Sequence, residues 1–359
     1  MISKFPDSRI REGKQWGRAA AIALSTFCFL FAVGAAFAGS SPAADAVIAF
    51  DKAGVKVSKP VRVAYLTECI QNAYCQARLK GITDAAAKFG FEFKVFDANF
   101  NPTDQLKHVQ NAVAEKFDGY ILAPTAAAPA CSMWKQFLVP TGAPVVTVDL
   151  PMCGDADYTA GLAGTVTMQR QAFFNGMVDR AFASCQGPCK LAAVGGFVGS
   201  DLFNLWENAI KTAGAKYSNV SIVADQPGNY DPRVTLRIVQ DALQAHPDLT
   251  LVISPWDDMT RGAEQAITSV GKKPGSDVRI YSIGGTKDAV ARIKDGSYNE
   301  TAVLLPWEEA YYGAVALIMA IEGKPLKGYV DEALLPAITE GPGTVFITKE
   351  NADRFKPNY

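Results

Sequence analysis

Histidine is scarce in this sequence. His108 and His246 are the only two in 359 residues, and each lies on the flank of a predicted helix, far from the other. A histidine metal site or a nucleophile–base pair needs side chains brought together, so an exposed or helix-end role is expected for both. The chain also lacks a G-x-S-x-G elbow, a G-x-x-x-x-G-K-[ST] loop and a G-x-G-x-x-G turn, which removes the common signatures of hydrolases, P-loop enzymes and dinucleotide binders. Its cysteines are spaced C-x5-C and C-x3-C, matching neither zinc ribbons nor the C-x-x-C redox motif. No cofactor or metal is called for. An excess of basic residues is missing too: 35 Lys and Arg face 36 Asp and Glu. Nucleic acid is therefore excluded as a partner, because phosphate binding needs concentrated positive charge.

What is present begins with an export signal. Lys4, Arg9, Arg11, Lys14 and Arg18 precede a charge-free run from Ala19 to Ala38 that ends in Ala36-Phe37-Ala38. The run is about long enough to span a membrane, but the small residues at its end and the cleavage triplet identify residues 1–38 as a cleavable secretory signal peptide. Cys28 lacks the preceding small-residue context of a lipid-attachment site. Removing 1–38 leaves 30 basic and 34 acidic side chains, a periplasmic destination and an oxidising compartment. Residues 39–60, rich in Ala, Ser and Lys with little periodicity, read as an N-terminal extension of no evident use.

From Pro60 onward, Val/Ile-rich runs alternate with amphipathic segments, the pattern of parallel sheets covered by helices on both faces. "VRVAYLT" is a buried strand, and Leu79, Ile82, Ala86 and Phe89 give the following helix its apolar stripe. "EFKVFDA", "GYILAPT" and "PVVTVDL" supply three more strands. After "YTAGLAGT" the pattern restarts, with a helix around 169–182 and strands at "KLAAVGGF", "VSIVAD", "TLVISP" and "RIYSIGG". The fold class expected is α/β: two doubly wound Rossmann-like lobes joined by a multi-strand hinge. The first lobe takes residues 61–163 plus 306–340 and the second 164–305 plus 341–359. Ligands of such sheets sit outside the carboxyl ends of the strands, so two lobes facing each other there enclose a cleft.

Six cysteines remain after export, and fifteen pairings are open. The local solution is favoured: Cys69 with Cys75, Cys131 with Cys153, Cys185 with Cys189. Closing the loop "CIQNAYC" removes unfolded-state entropy of roughly 2 kcal/mol, and would fix Asn72 and Tyr74 facing the cleft.

The chain resembles the periplasmic solute-binding proteins of the ribose and galactose type, the type I periplasmic binding fold, over roughly residues 61–350. "QNAYC" matches that family's ligand-contacting loop after strand one, "ANFNPTDQLKHVQNAV" its second strand and helix, and "VTVD" ends at its cleft aspartate, here Asp149. "QPGNYDPRVTLRIVQDALQAHPDLTLVISPWDDMTRGA" is the most specific match, completed by "IGGTKDAVARIKDG" and "TAVLLPWEEAYYGA". The resemblance implies a monomeric receptor, not an enzyme, that closes over a small solute and is read by an inner-membrane ABC permease. The end segment "ITKENADRF" is similar to trimethylamine-N-oxide sensors, which implies a membrane histidine kinase as the alternative partner. A thiol-dependent enzyme in the cleft stands last, for want of a base.

Departures from the family carry the specificity. Where sugar binders of this type place polar readers, this chain has Leu150, Trp206, Trp256, Gly284 and Leu304. Each sugar hydroxyl buried without a partner costs about 1–3 kcal/mol, so a solute less polar than a monosaccharide is expected. Trp206, Trp256, Tyr230 and Tyr74 suit a flat apolar or aromatic solute, or an ammonium-type cation with Asp149 and Glu68 nearby. Asp257 reads either as a site residue or as a turn residue. Trp134 and Trp307 are expected to pack. The oxidised mature protein should show no free thiol under denaturant; an Ellman count of two or more would refute full pairing.

Overall fold

The computed structural model describes residues 41–359; the signal peptide and Cys28 lie outside them. The first described element lies within 39–60, the extension that showed little periodicity in the sequence. Pro42–Ala53 is a helix (α1), capped by the Ser41 hydroxyl and ended by Gly54 at φ 60°. It buries Ala44, Val47 and Phe50 against the first lobe. The buried stripe is only three residues long, which is too short to stand out as a periodic pattern.

The first lobe then runs through β1 (Arg62–Thr67), α2 (Ala73–Phe89), β2 (Glu92–Asp97), α3 (Pro102–Glu115), β3 (Gly119–Leu122), α4 (Ala127–Met133), β4 (Val145–Val148) and β5 (Gly164–Thr167). The second comprises α5 (Gln171–Ala183), β6 (Cys189–Gly195), α6 (Asp201–Lys216), β7 (Val220–Pro227), α7 (Pro232–Ala245), β8 (Leu251–Ile253), α8 (Asp257–Ser269), β9 (Arg279–Gly284), α9 (Lys287–Asp295) and β10 (Glu300–Val303). The chain returns to the first lobe for α10 (Pro306–Ile321) and β11 (Tyr329–Asp331), then passes back through α11 (Pro336–Thr339) to β12 (Phe346–Ile347).

Two six-stranded sheets result, ordered β11-β5-β4-β3-β1-β2 and β12-β10-β9-β8-β6-β7. All pairings are parallel except that of β12 with β10. The expected lobe boundary at 164 is corrected, since β5 lies between β4 and β11 in the first sheet. Gly164-Thr165-Val166-Thr167 is too short and too rich in Gly and Thr to announce itself as a strand. The backbone thus crosses between lobes three times: after Thr167, after Val303 and after Asp331. α10, buried along almost its whole length, packs on β3, β4, β5 and α2 and forms the spine of the first core.

The six cysteines stand in three bridges, Cys69–Cys75, Cys131–Cys153 and Cys185–Cys189. Among the described residues no helix is long and apolar enough to cross a membrane.

Phe50 packs on Phe89 with ring centroids 5.9 Å apart and planes tilted by 31°. Phe50→Ala is expected to cost about 3 kcal/mol in urea unfolding; a loss below about 0.5 kcal/mol, the range of surface changes, would show that α1 is not part of the lobe core.

Candidate ligand-binding cleft

The wall contributed by the first lobe is built at strand ends. β1 delivers Glu68 and then the bridged loop Cys69–Cys75. Asn72 caps α2 by accepting from the Cys75 amide at 2.9 Å, which directs Tyr74 inward from the first turn. The Tyr74 hydroxyl donates to Glu309 Oε2 at 2.8 Å and lies 3.4 Å from Asp149 Oδ1. One turn on, Arg78 is fully buried. Its guanidinium pairs with Glu68 and, at 3.0 Å, with Glu309 Oε1, while Asp149 Oδ1 lies 3.9 Å away. Asp149 follows β4 in the left-handed region at φ 73°, a conformation short polar residues tolerate best. Gln169 donates to its carboxylate and Thr167 to its carbonyl. Glu309 sits in the first turn of α10, where the helix dipole favours negative charge.

Glu332, just beyond β11, completes the cluster. It is fully buried, and neither carboxylate oxygen has a hydrogen-bond donor. Three buried carboxylates (Glu68, Asp149 and Glu309) therefore share one buried guanidinium, and Glu332 stands beside them without a donor. Burial, reinforced by neighbouring carboxylates, raises Asp149 and Glu332 well above the usual range. Burial also pushes Glu309 up to about 7, although Arg78 and Tyr74 act against the shift.

The opposing wall is aromatic. Tyr230 follows β7 at φ 54°, with its ring against Gly196: a Cβ there would lie 2.5 Å from the phenolic oxygen. Trp256, at the N-terminus of α8, meets Tyr74 edge to face with centroids 6.0 Å apart, and stacks on Tyr359 at 6.1 Å and 20°. Tyr359 also meets Tyr74 at 5.9 Å and donates to the Gly284 carbonyl at 2.6 Å. Asn358 donates to Glu308 Oε2 at 2.7 Å, so the last two residues touch both lobes. A cavity of about 330 Å³ opens beside these rings, lined by Asn72, Tyr230, Pro232, Trp256, Asp258 and Arg261. A larger hollow, about 570 Å³, lies apart along the surface of α7 and α8.

The structure thus brings Asn72, Tyr74, Asp149, Tyr230 and Trp256 to one interlobe region. It corrects Trp206, which lies fully buried in the core of the second lobe with its indole N–H unpartnered. It also corrects Asp257, whose carboxylate accepts from Ser282 at 2.5 Å, the Thr286 amide at 2.9 Å and Thr301 at 2.9 Å. That hub ties α8 to β9 and β10 within one lobe; burial raises the Asp257 carboxyl to about 6. Gly284 is explained by the same hub, since a Cβ would lie 2.5 Å from Asp257 Oδ2. Leu150 and Leu304 are buried. Trp134 sits in the first core, and Trp307 stacks on Tyr311 at 4.5 Å while donating to Asp84.

Sequence reasoning missed Arg78, Gln169, Glu309, Glu332 and Tyr359. A signal existed for Arg78, which falls one turn before Ile82 on the apolar stripe of α2. Among the described residues the one cluster with metal-ligand spacing is Glu68 with Cys69 and Cys75; both sulfurs are committed to a bridge.

Two lobes with a polar floor and aromatic facing walls define a protein that encloses a small molecule. Residues 63–325 match the family model described as periplasmic binding protein domain, and the chain belongs to that family. It is accordingly a periplasmic binding protein rather than an enzyme. It is 26% identical over 254 residues to the ribose import binding protein of Bacillus subtilis, covering 69% of this chain and 77% of that one. To the galactofuranose-binding protein of Escherichia coli it is 25% identical over 261 residues, 70% of this chain and 79% of the other. The crystal structure of the Caulobacter myo-inositol binding protein superposes with a TM-score of 0.71 at 20% identity, covering 84% of this chain and 98% of that one.

Because Asp149, Glu309 and Glu332 hold protons more tightly when folded than when unfolded, folding takes up protons between the ordinary carboxylate range and about 7. Their stabilisation is greatest below that interval and is lost as pH rises through it. Asp257 acts in the same direction. The urea midpoint without added solute is expected to fall between about pH 5 and about pH 8, with Glu332→Gln flattening the slope. A midpoint that rises over the interval would contradict this balance of charges.

Proposed function

We propose that this protein is the solute-binding component of an ABC importer, capturing a small molecule between its lobes and presenting the closed form to an inner-membrane permease. Three backbone crossings at one edge suit hinge closure, in which a few connecting residues absorb the motion while each lobe stays rigid. The relatives' names refer to ribose and galactofuranose and a similar structure to myo-inositol, which supports sugar or polyol capture as the family's general business. The solute of this chain is less polar than a monosaccharide. The observation that carries this reading is the aromatic contact of Tyr74 with Trp256 across the cleft. A polyol against these faces would leave hydroxyls unpaired at about 1–3 kcal/mol each.

A thermal-shift panel of sugars, polyols, aromatic acids and amines tests the reading, since a solute at a hundred times its Kd adds about 2.7 kcal/mol. For the compound giving the largest shift, Trp256→Ala is expected to abolish binding in calorimetry with little loss of fold. Unchanged affinity would remove Trp256 from the site, and a preference for polyhydroxylated sugars would overturn the less polar solute.

A further inference from the structure

The cleft floor does not balance its charge. Among the described residues Arg78 is the single buried cation in contact with the cluster, and it is already paired with Glu68 and Glu309. Asp149 has Gln169 and the Tyr74 hydroxyl. Arg170, the next cation along the crossing, is engaged by Asp157 at 2.7 Å and Asp331 at 2.6 Å. Nothing remains for Glu332. Both its oxygens are buried without a donor, and the charges acting on it most strongly are Glu309, Glu308, Asp331 and Asp149, all acidic. A buried carboxylate without a partner is among the costliest arrangements a fold can hold, far costlier than an unpaired hydroxyl. Glu332 therefore keeps its proton while no cation is near, and a cation entering from the cleft would take that proton's place.

The walls above the floor suit such a guest. Tyr74 already carries one cation on its face, the Arg78 guanidinium 5.1 Å from the ring centroid. It meets Trp256 edge to face, and Trp256 is stacked by Tyr359. Indole and phenol faces attract a positive charge whose substituents are apolar, by about 0.5–2 kcal/mol per ring depending on desolvation. A hydrated inorganic ion gains little from them, and a neutral polyol leaves the carboxylate uncompensated.

From the buried Glu332 carboxyl group without a partner in the cluster that Tyr74 joins, and from the Tyr74, Trp256 and Tyr359 rings at the lobe interface, we infer that the solute is a small organic cation, an alkylated ammonium or guanidinium. This rests on the binding-protein reading above and names the chemistry of the same cleft. The test is calorimetry and thermal shift on the mature chain with tetramethylammonium and methylguanidinium chlorides, against D-ribose, myo-inositol and sodium chloride. The organic cations are expected to raise Tm and the other three not. Glu332→Gln should weaken cation binding about tenfold or more, while Glu332→Asp retains most of it. Should Glu332→Gln fail to fold, Asp149→Asn is the second variant, with a loss of similar size expected.

If ribose or inositol shifts Tm as much as the cations or more, a binding protein remains and the cation is overturned. A Glu332→Gln variant with unaltered cation affinity overturns it equally. If neither the cations nor any member of the wider solute panel binds, both readings fall together.

Discussion

A guanidinium removed from water, Arg78, joins chain ends that the sheet topology delivers separately. Glu68 comes from β1, Asp149 from β4 and Glu309 from the start of α10. A single buried cation among them favours one relative placement of these ends, because removing one partner of a buried pair typically costs about 3–5 kcal/mol. Tyr74 extends the network by bonding to Glu309 and by carrying the guanidinium on its ring. The position of the ring at the lobe interface is thus a consequence of the electrostatics beneath it. The Cys69–Cys75 bridge acts on the same loop from the other side, so Tyr74 is held both covalently and by charge.

The second lobe reaches comparable rigidity with a different device. Asp257 gathers Ser282, Thr286 and Thr301 around one buried carboxylate, with hydroxyl and amide donors in place of a counter-charge. Neutral donors satisfy the oxygens without cancelling the charge, which is why burial still raises this group. The hub excludes a side chain at Gly284, whose carbonyl accepts from both the Leu304 amide and the Tyr359 hydroxyl. Each wall therefore rests on a buried carboxylate network: the first lobe's has more carboxyl groups than donors, and the second's is closed on itself.

Much of the architecture was legible from periodicity. Alternating Val/Ile runs and amphipathic stripes located the strand ends, and a ligand cleft follows from where those ends face. Shorter and less typical signals were lost. β5 is four residues of Gly, Thr and Val, and α1 buries only Ala44, Val47 and Phe50. The site was legible only in the short segments that follow a strand's carboxyl end, where Asp149, Tyr230 and Trp256 lie and where the loop after β1 leads to Tyr74. Trp206 shows the limit of that reasoning, since a position in the first helix of a lobe does not say which way a large ring turns. Glu309, Glu332 and Tyr359 lie over 200 residues beyond Tyr74 and reach it only because the chain returns to the first lobe after completing the second. Local patterning carries no information about such a return.

The tail determines what a solute meets. Tyr359 covers one face of Trp256, and Asn358 holds the same segment to Glu308 in the first lobe. The rings at the interface thus come from α2, the start of α8 and the last described residue, so the aromatic surface exists only when lobes and tail come together. A solute seated on the Trp256 face must take the place of Tyr359; one seated beside it gains a third ring. Exchange of ring for ring leaves the apolar area removed from water nearly unchanged. Discrimination in that case falls to what the rings do not supply, namely the charge on the cleft floor.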